Sequence, residues 1–68
     1  MKKFRGFNGV TRVGISAEVY EEANGTYTVF IRYSAGCGCA AGYPTECDAI
    51  AHAEKEFRYY GCTFEQVD

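Results

Sequence analysis

Four cysteines, Cys37, Cys39, Cys47 and Cys62, have the side chains in this sequence best suited to metal binding or nucleophilic chemistry. A zinc site usually takes its ligands from two C-x(2–4)-C pairs. Here the first pair is C-x-C, and a helix of roughly 22 Å would separate Cys47 from Cys62. We therefore expect no metal and no cofactor. Free thiols that pack as small apolar groups are the preferred interpretation, and a disulfide from Cys37 or Cys39 to Cys47 is the alternative.

The single histidine, His52, lies five positions after Cys47. At about 100° per residue, the two side chains would be about 140° apart around a helix, so they cannot form a catalytic pair. His52 also falls nearly opposite the apolar stripe of that helix, where we expect it to be solvated. No Ser/His/Asp set, phosphate-binding glycine loop or carboxylate pair is recognisable. The sequence predicts no catalytic residue and a protein that is not an enzyme.

Two alternating segments predict a β-hairpin around Ala23-Asn24-Gly25. The first segment runs from Val13 to Tyr20 and the second from Tyr27 to Tyr33. A three-residue loop pairs Val19 with Val29, which places all the aliphatic side chains on one face. Gly25 then takes the left-handed position of a type I turn with a G1 bulge.

A helix is predicted from Glu46 to Tyr60, with Thr45 as its N-cap and Gly61 just beyond its end. Its apolar stripe consists of Ile50, Ala53, Phe57 and Tyr60, with Ala49 at the edge. A short strand from Thr63 to Val67 follows, and Phe4 and Phe7 suggest an N-terminal strand. The segment SAGCGCAAGYP, residues 34–44, is interpreted as a strand-to-helix connection. The predicted fold class is α+β, with residues 1–68 as one small two-layer domain of an antiparallel sheet and one helix.

One face of the hairpin is predicted to lie away from the helix and to serve as a contact surface. Its aromatic and arginine side chains are of the types enriched in protein interfaces. The predicted members of this face are Arg12, Ser16, Glu18, Tyr20, Thr28, Phe30 and Arg32.

Charge and hydropathy place limits on the class of protein. The net charge is -2, with basic residues concentrated before residue 13 and acidic residues in the helix region. A nucleic-acid binder would normally have a larger basic excess. No apolar run of about 18 residues occurs, and the basic start is not followed by an apolar stretch, so neither a membrane span nor a signal peptide is expected. A cytoplasmic location with reduced thiols is the simplest interpretation.

The stretches YEEANGTYTVFIRYSAGC and TECDAIAHAEKEF resemble the HicB antitoxin domain. That family combines an acidic strand end, a Gly-aromatic strand, a Gly-Cys pair and a helix opened by Thr. The matching residues here are Glu21, Glu22, Gly25, Tyr27, Gly36, Cys37, Thr45, Asp48 and Ala49. The resemblance implies an antitoxin-like binding module.

The helix and the following strand are also similar to those of small β-β-α-β proteins of phages and mobile elements. These include anti-CRISPR proteins and the phage inhibitor of bacterial RNA polymerase. The residues of the shared pattern are Thr45, Ala49, Ala53, Glu54, Tyr59, Gly61 and Phe64. This resemblance implies inhibition of a host complex by binding, without catalysis.

We therefore expect a non-enzymatic inhibitor, located in the host cytoplasm if phage-encoded, that occludes a CRISPR effector or other bacterial machinery. The predicted partner-binding residues combine acidic side chains with aromatic anchors and one arginine. They are Glu18, Glu21, Glu22, Glu54, Glu56, Tyr20, Phe30, Tyr59 and Arg32.

Two other functions remain open. A nucleic-acid-binding module would use Lys2, Lys3, Arg5, Arg12 and Arg32, and its affinity would fall steeply with salt. A thiol- or zinc-dependent protein would use the cysteines. Homodimerisation through the sheet edge or its exposed face is compatible with all three functions, because so small a core gains from a partner subunit.

Overall fold

A computed structural model describes residues 1–67. Six elements follow one another: β1 (Lys2–Phe7), β2 (Gly14–Glu21), β3 (Tyr27–Tyr33), β4 (Gly36–Tyr43), α1 (Glu46–Tyr59) and β5 (Glu65–Gln66). The five strands form one antiparallel sheet in the order β4-β3-β2-β1-β5. Helix α1 packs on one side of this sheet. The predicted α+β class with one helix on an antiparallel sheet is confirmed.

The β2–β3 hairpin has the predicted register. Val19 pairs with Val29, and Ala17 pairs with Ile31. The Glu22 amide donates to the Thr26 carbonyl at 2.7 Å, which leaves three loop residues between them. Gly25 has a φ of 85°, the left-handed conformation that glycine adopts without steric cost. The alternation of aliphatic side chains was therefore sufficient to fix the register.

The interpretation of residues 34–44 as a connection is wrong, because Gly36–Tyr43 forms strand β4. Its small side chains alternate between the two sides of the sheet. Gly38 and Ala40 pair with the buried residues Ile31 and Val29, whereas the intervening positions face away from the helix. Glycine and alanine have low strand propensity, so this alternation gave no signal in the sequence.

Helix α1 begins as predicted, because the Thr45 hydroxyl accepts a hydrogen bond of 3.1 Å from the Asp48 amide. At its other end Tyr60 is the C-cap, and Gly61 follows with a φ of 67°. The amide of Cys62 donates to the Phe57 carbonyl at 2.9 Å, as in a Schellman motif. Tyr60, predicted to end the apolar stripe, is 40% exposed.

The core lies between the helix and one face of the sheet. Phe57 is fully buried near the C-terminal end of α1, and its ring meets that of Phe64 edge to face at 5.0 Å. Phe64 in turn stacks on Phe4 of β1 at 4.7 Å. The N-terminal strand and the C-terminal segment are thus joined to the helix by aromatic contacts. The remaining buried apolar side chains are Ile15, Ala17, Val19, Val29, Ile31, Ala49, Ala53 and Cys62.

Candidate ligand-binding face of the sheet

The side of the sheet opposite α1 has no layer packed on it within residues 1–67. We call it the open face. Strand side chains alternate, so the residues between the buried core positions point to this side. Its members on β1 to β4 include Lys3, Arg5, Phe7, Ser16, Glu18, Tyr20, Thr28, Phe30, Arg32, Cys37 and Cys39.

Three strands place two arginines on either side of one serine. Arg5 of β1 pairs with Ser16 of β2, and Ser16 pairs with Arg32 of β3. All three residues are exposed. Neighbouring strands are about 4.8 Å apart, so the two arginine backbones are separated by roughly 10 Å. The small serine leaves space between the two arginines, an arrangement that can grip one phosphate or carboxylate from both sides.

The next row along the strands combines charge with an aromatic ring. Lys3 pairs with Glu18, and Glu18 pairs with Phe30. Cζ of Arg32 lies 5.6 Å from the centre of the Phe30 ring, a cation–π contact that holds two planar groups together. Lys3 and Glu18, being directly opposite, offset each other's charge.

Tyr20 provides a second aromatic side chain, one row further along. Desolvation raises the pKa of its hydroxyl, and the nearby Cys39, Glu22 and Glu18 raise it further. Tyr20 therefore remains a neutral, amphipathic ring at physiological pH.

A depression of about 240 Å³ lies across the first two rows. Its lining includes Lys3, Arg5, Ser16, Glu18, Phe30 and Arg32. No carboxylate of residues 1–67 forms an ion pair with its three cations. The internal ion pairs lie elsewhere, from Lys2 to Glu46 at 2.7 Å and from Arg58 to Glu54 at 2.9 Å. The cations of the depression are thus available to a ligand.

The predicted partner-binding residues divide between the two layers. Glu18, Tyr20, Phe30 and Arg32 come together on the open face. The exposed Glu21 and Glu22 lie at the tip of the β2–β3 hairpin, and the remaining three lie on the helix. The helical residues are Glu54, which pairs with Arg58, Glu56, which accepts from Tyr33, and Tyr59, which is 79% exposed.

Of the residues predicted for the far face, Arg12 lies elsewhere, and Thr28 lies on the open face but is buried. Arg12 is in the turn after β1, with a φ of 67°, where its amide donates to the Asn8 carbonyl. Thr28 points to the open side but is only 2% exposed. Its short side chain lies between two larger ones, since it pairs with Tyr20 and precedes Phe30 by two positions.

The open face also includes two cations that the inhibitor hypothesis did not use. Lys3 and Arg5 belong to it because β1 pairs with β2. The basic composition of residues 2–5 indicated these cations, and they were named for the nucleic-acid alternative. Of the other basic residues named with them, Lys2 points toward the helix and pairs with Glu46.

His52 is not solvated as predicted. It is partly buried, and its Nδ1 lies 2.6 Å from the Tyr43 hydroxyl. The missed strand β4 explains the error, because Tyr43 ends that strand beside the helix. All four cysteines are free; Cys62 is buried and the other three are exposed. No three His, Cys, Asp or Glu side chains among residues 1–67 are grouped as a metal site.

Comparison with protein-family models, with curated proteins and with solved structures gives no match for this chain. Within the described part of the chain, no helix has the length and apolar character needed to span a bilayer. The geometry of the open face is therefore the basis for assigning a function.

Proposed function

We propose that this chain is a non-enzymatic binding protein that holds an anionic macromolecule against its open face. The observation that carries this proposal is the cross-strand triplet Arg5–Ser16–Arg32. Like charges repel one another, and Lys3 adds a third cation to the two arginines, which lie on either side of strand β2 in the same depression. Such a cluster without an ion-pair partner among residues 1–67 costs stability, and binding an anion would offset that cost.

Binding in this proposal depends on surface complementarity, because two polar side chains of the helix that could act in catalysis already have structural roles. His52 is hydrogen-bonded to Tyr43, and Glu56 accepts from Tyr33. The open face instead offers guanidinium groups, an ammonium group, a hydroxyl and two aromatic rings. These groups hold anions and planar surfaces.

The test is retention on a heparin column in a salt gradient. Arg5→Ala/Arg32→Ala removes two cations from the open face, and Lys55→Ala/Arg58→Ala removes two from the helix. Both double variants have the same net charge. We expect the wild type and the helix variant to be retained and the open-face variant to elute without retention. Failure of the wild type to bind, or equal loss in both variants, would contradict the proposal.

A second candidate function is occlusion of a basic site on a host complex, as in phage-encoded inhibitors. The exposed carboxylates of Glu21 and Glu22 at the hairpin tip favour it, together with the exposed ring of Tyr59 on the other layer. Its test is a pull-down of the tagged chain from bacterial lysates carrying CRISPR systems. Stoichiometric recovery of an effector or polymerase complex by the wild type, lost in Glu21→Gln/Glu22→Gln, would support occlusion. Equal recovery by both proteins would contradict it.

A further inference from the structure

We infer that the anionic macromolecule is a single-stranded nucleic acid, with a phosphate between Arg5 and Arg32 and a base stacked at Phe30. This inference rests on the proposed function and narrows it to one class of ligand.

The rows of the open face run from cations to aromatic rings. The first row has the two arginines around Ser16, the second has Phe30 opposite Glu18, and the third has Tyr20 opposite Thr28. Same-face residues along a strand are roughly 6.7 Å apart. The phosphate-binding arginines therefore lie one row from Phe30 and two rows from Tyr20. A nucleic-acid strand with unstacked bases requires this alternation of a cationic site with nearby aromatic rings.

The aromatic rings favour a nucleic acid over an acidic peptide. Carboxylates of a peptide would satisfy the arginines but would offer Phe30 and Tyr20 no ring to stack on. Bases stack on aromatic rings and on guanidinium planes, and the Arg32–Phe30 pair offers both at 5.6 Å. Glu18 can accept a hydrogen bond from an N–H group of a base, while Lys3 opposite offsets its charge.

A single strand fits this face better than a duplex. In a duplex the faces of the bases are stacked on one another and cannot reach Phe30. The sheet face also lacks a projecting element that could enter a groove, because its side chains arise from strands hydrogen-bonded into one surface. Binding on a sheet surface with exposed aromatic and basic side chains is a general mode of single-strand recognition.

The experiment measures fluorescence anisotropy with labelled oligothymidylate and oligouridylate of about 12 nucleotides. The unlabelled single strand, duplex DNA of equal length, inorganic polyphosphate and polyglutamate serve as competitors. Phe30→Ala and Phe30→Leu remove the ring, and Tyr59→Ala removes an exposed ring from the helix as the matched control. Circular dichroism of each variant verifies that it is folded.

We expect Phe30→Ala to weaken single-strand binding at least about fivefold, with Phe30→Leu equally weak, because stacking on the ring is lost. Polyphosphate competition should be unaffected by either variant, and Tyr59→Ala should bind as the wild type does. For two phosphate contacts, one at the arginine pair and one at Lys3, the slope of log affinity against log salt should be about -1.4. Arg5→Ala/Arg32→Ala should reduce its magnitude by about 0.7.

The outcomes separate this inference from the function on which it rests. Competition by polyphosphate, polyglutamate or duplex DNA as strong as that of the single strand would overturn the nucleic-acid inference and leave the anion-binding function in place. Equal weakening of single-strand binding by Phe30→Ala and Tyr59→Ala would also overturn the nucleic-acid inference and leave the anion-binding function in place. If the wild type binds none of these polyanions and is not retained on heparin, both the nucleic-acid inference and the anion-binding function are overturned.

Discussion

The Tyr33 hydroxyl donates a hydrogen bond of 2.8 Å to Oε1 of Glu56, and so joins strand β3 to helix α1. The ring of Tyr33 also meets that of Tyr60 at 5.4 Å. This polar contact lies at the edge of the apolar interface between the two layers. Burial, followed by the hydrogen bond to Glu56, raises the pKa of Tyr33 to about 12.

This raised pKa predicts a loss of stability at alkaline pH. The folded state favours the neutral phenol, so the contribution of Tyr33 is complete below its ordinary pKa of 10.0 and is lost as the pH rises toward about 12. Urea unfolding at a series of pH values should show the free energy of unfolding falling across this range. The fall should be smaller in Tyr33→Phe and unchanged in Tyr59→Phe. Identical profiles for Tyr33→Phe and the wild type would contradict the assignment.

Gly6 lies where β1 passes closest to the segment after the helix. A Cβ atom there would collide with the Thr63 carbonyl oxygen and would lie 2.7 Å from Cδ2 of Phe57. We expect Gly6→Ala to lower the free energy of unfolding by about 3 kcal/mol or more, since backbone must move to admit the methyl group. Gly9→Ala is the control, because its Cβ would have no neighbour within 4 Å. Comparable urea midpoints for the two variants would show that Gly6 and the Thr63 carbonyl are not in close contact.

Thr28 is buried, and its hydroxyl has no hydrogen-bond partner among residues 1–67. Valine has nearly the same shape without the hydroxyl, so Thr28→Val should raise the free energy of unfolding by about 1 kcal/mol. Thr26→Val should lower it by a similar amount, because the Thr26 hydroxyl donates to Asn24 at 2.7 Å. Chemical denaturation of both variants provides the measurement. Destabilisation by Thr28→Val would mean that its hydroxyl is satisfied in solution.

The thiols should react in two classes. Cys37, Cys39 and Cys47 are exposed, whereas Cys62 is 9% exposed and its Sγ contacts the Val13 carbonyl at 3.6 Å. A chromogenic disulfide reagent should titrate the three exposed thiols quickly and the fourth only on unfolding. Cys62→Ala should abolish the slow class alone. Fewer than three fast thiols in the native protein would indicate a bridge or a bound metal.

The hairpin and the helix were predictable because each has a strong local signal. Alternating aliphatic residues set the register of β2 with β3, and Thr45 with Gly61 delimited the helix. Strand β4 was not predictable, because its glycines and alanines follow no hydrophobic period. The error then extended to His52, whose partner Tyr43 belongs to the missed strand.

The open face was predictable only in part. Tyr20, Phe30, Glu18 and Arg32 follow from the alternation within the hairpin. The position of Arg5 on the open face depends on the register of β1 with β2, in which Arg5 pairs with Ser16. That register places Phe4 in the core and pairs it with Ala17, a tertiary constraint that the six residues of β1 do not show by themselves.

The strand order has a consequence for the rate of folding. Strands β2, β3 and β4 are joined by short turns, so their pairing closes only small loops and can occur early. The pairing of β1 with β5 joins Phe4 to Gln66 across nearly the whole chain, at a higher entropic cost. Contacts that form after the transition state affect mainly the unfolding rate. Substitutions beside the β1–β5 contact, such as Phe64→Leu, which reduces the packing on Phe4 of β1, should therefore accelerate unfolding while leaving the refolding rate nearly unchanged.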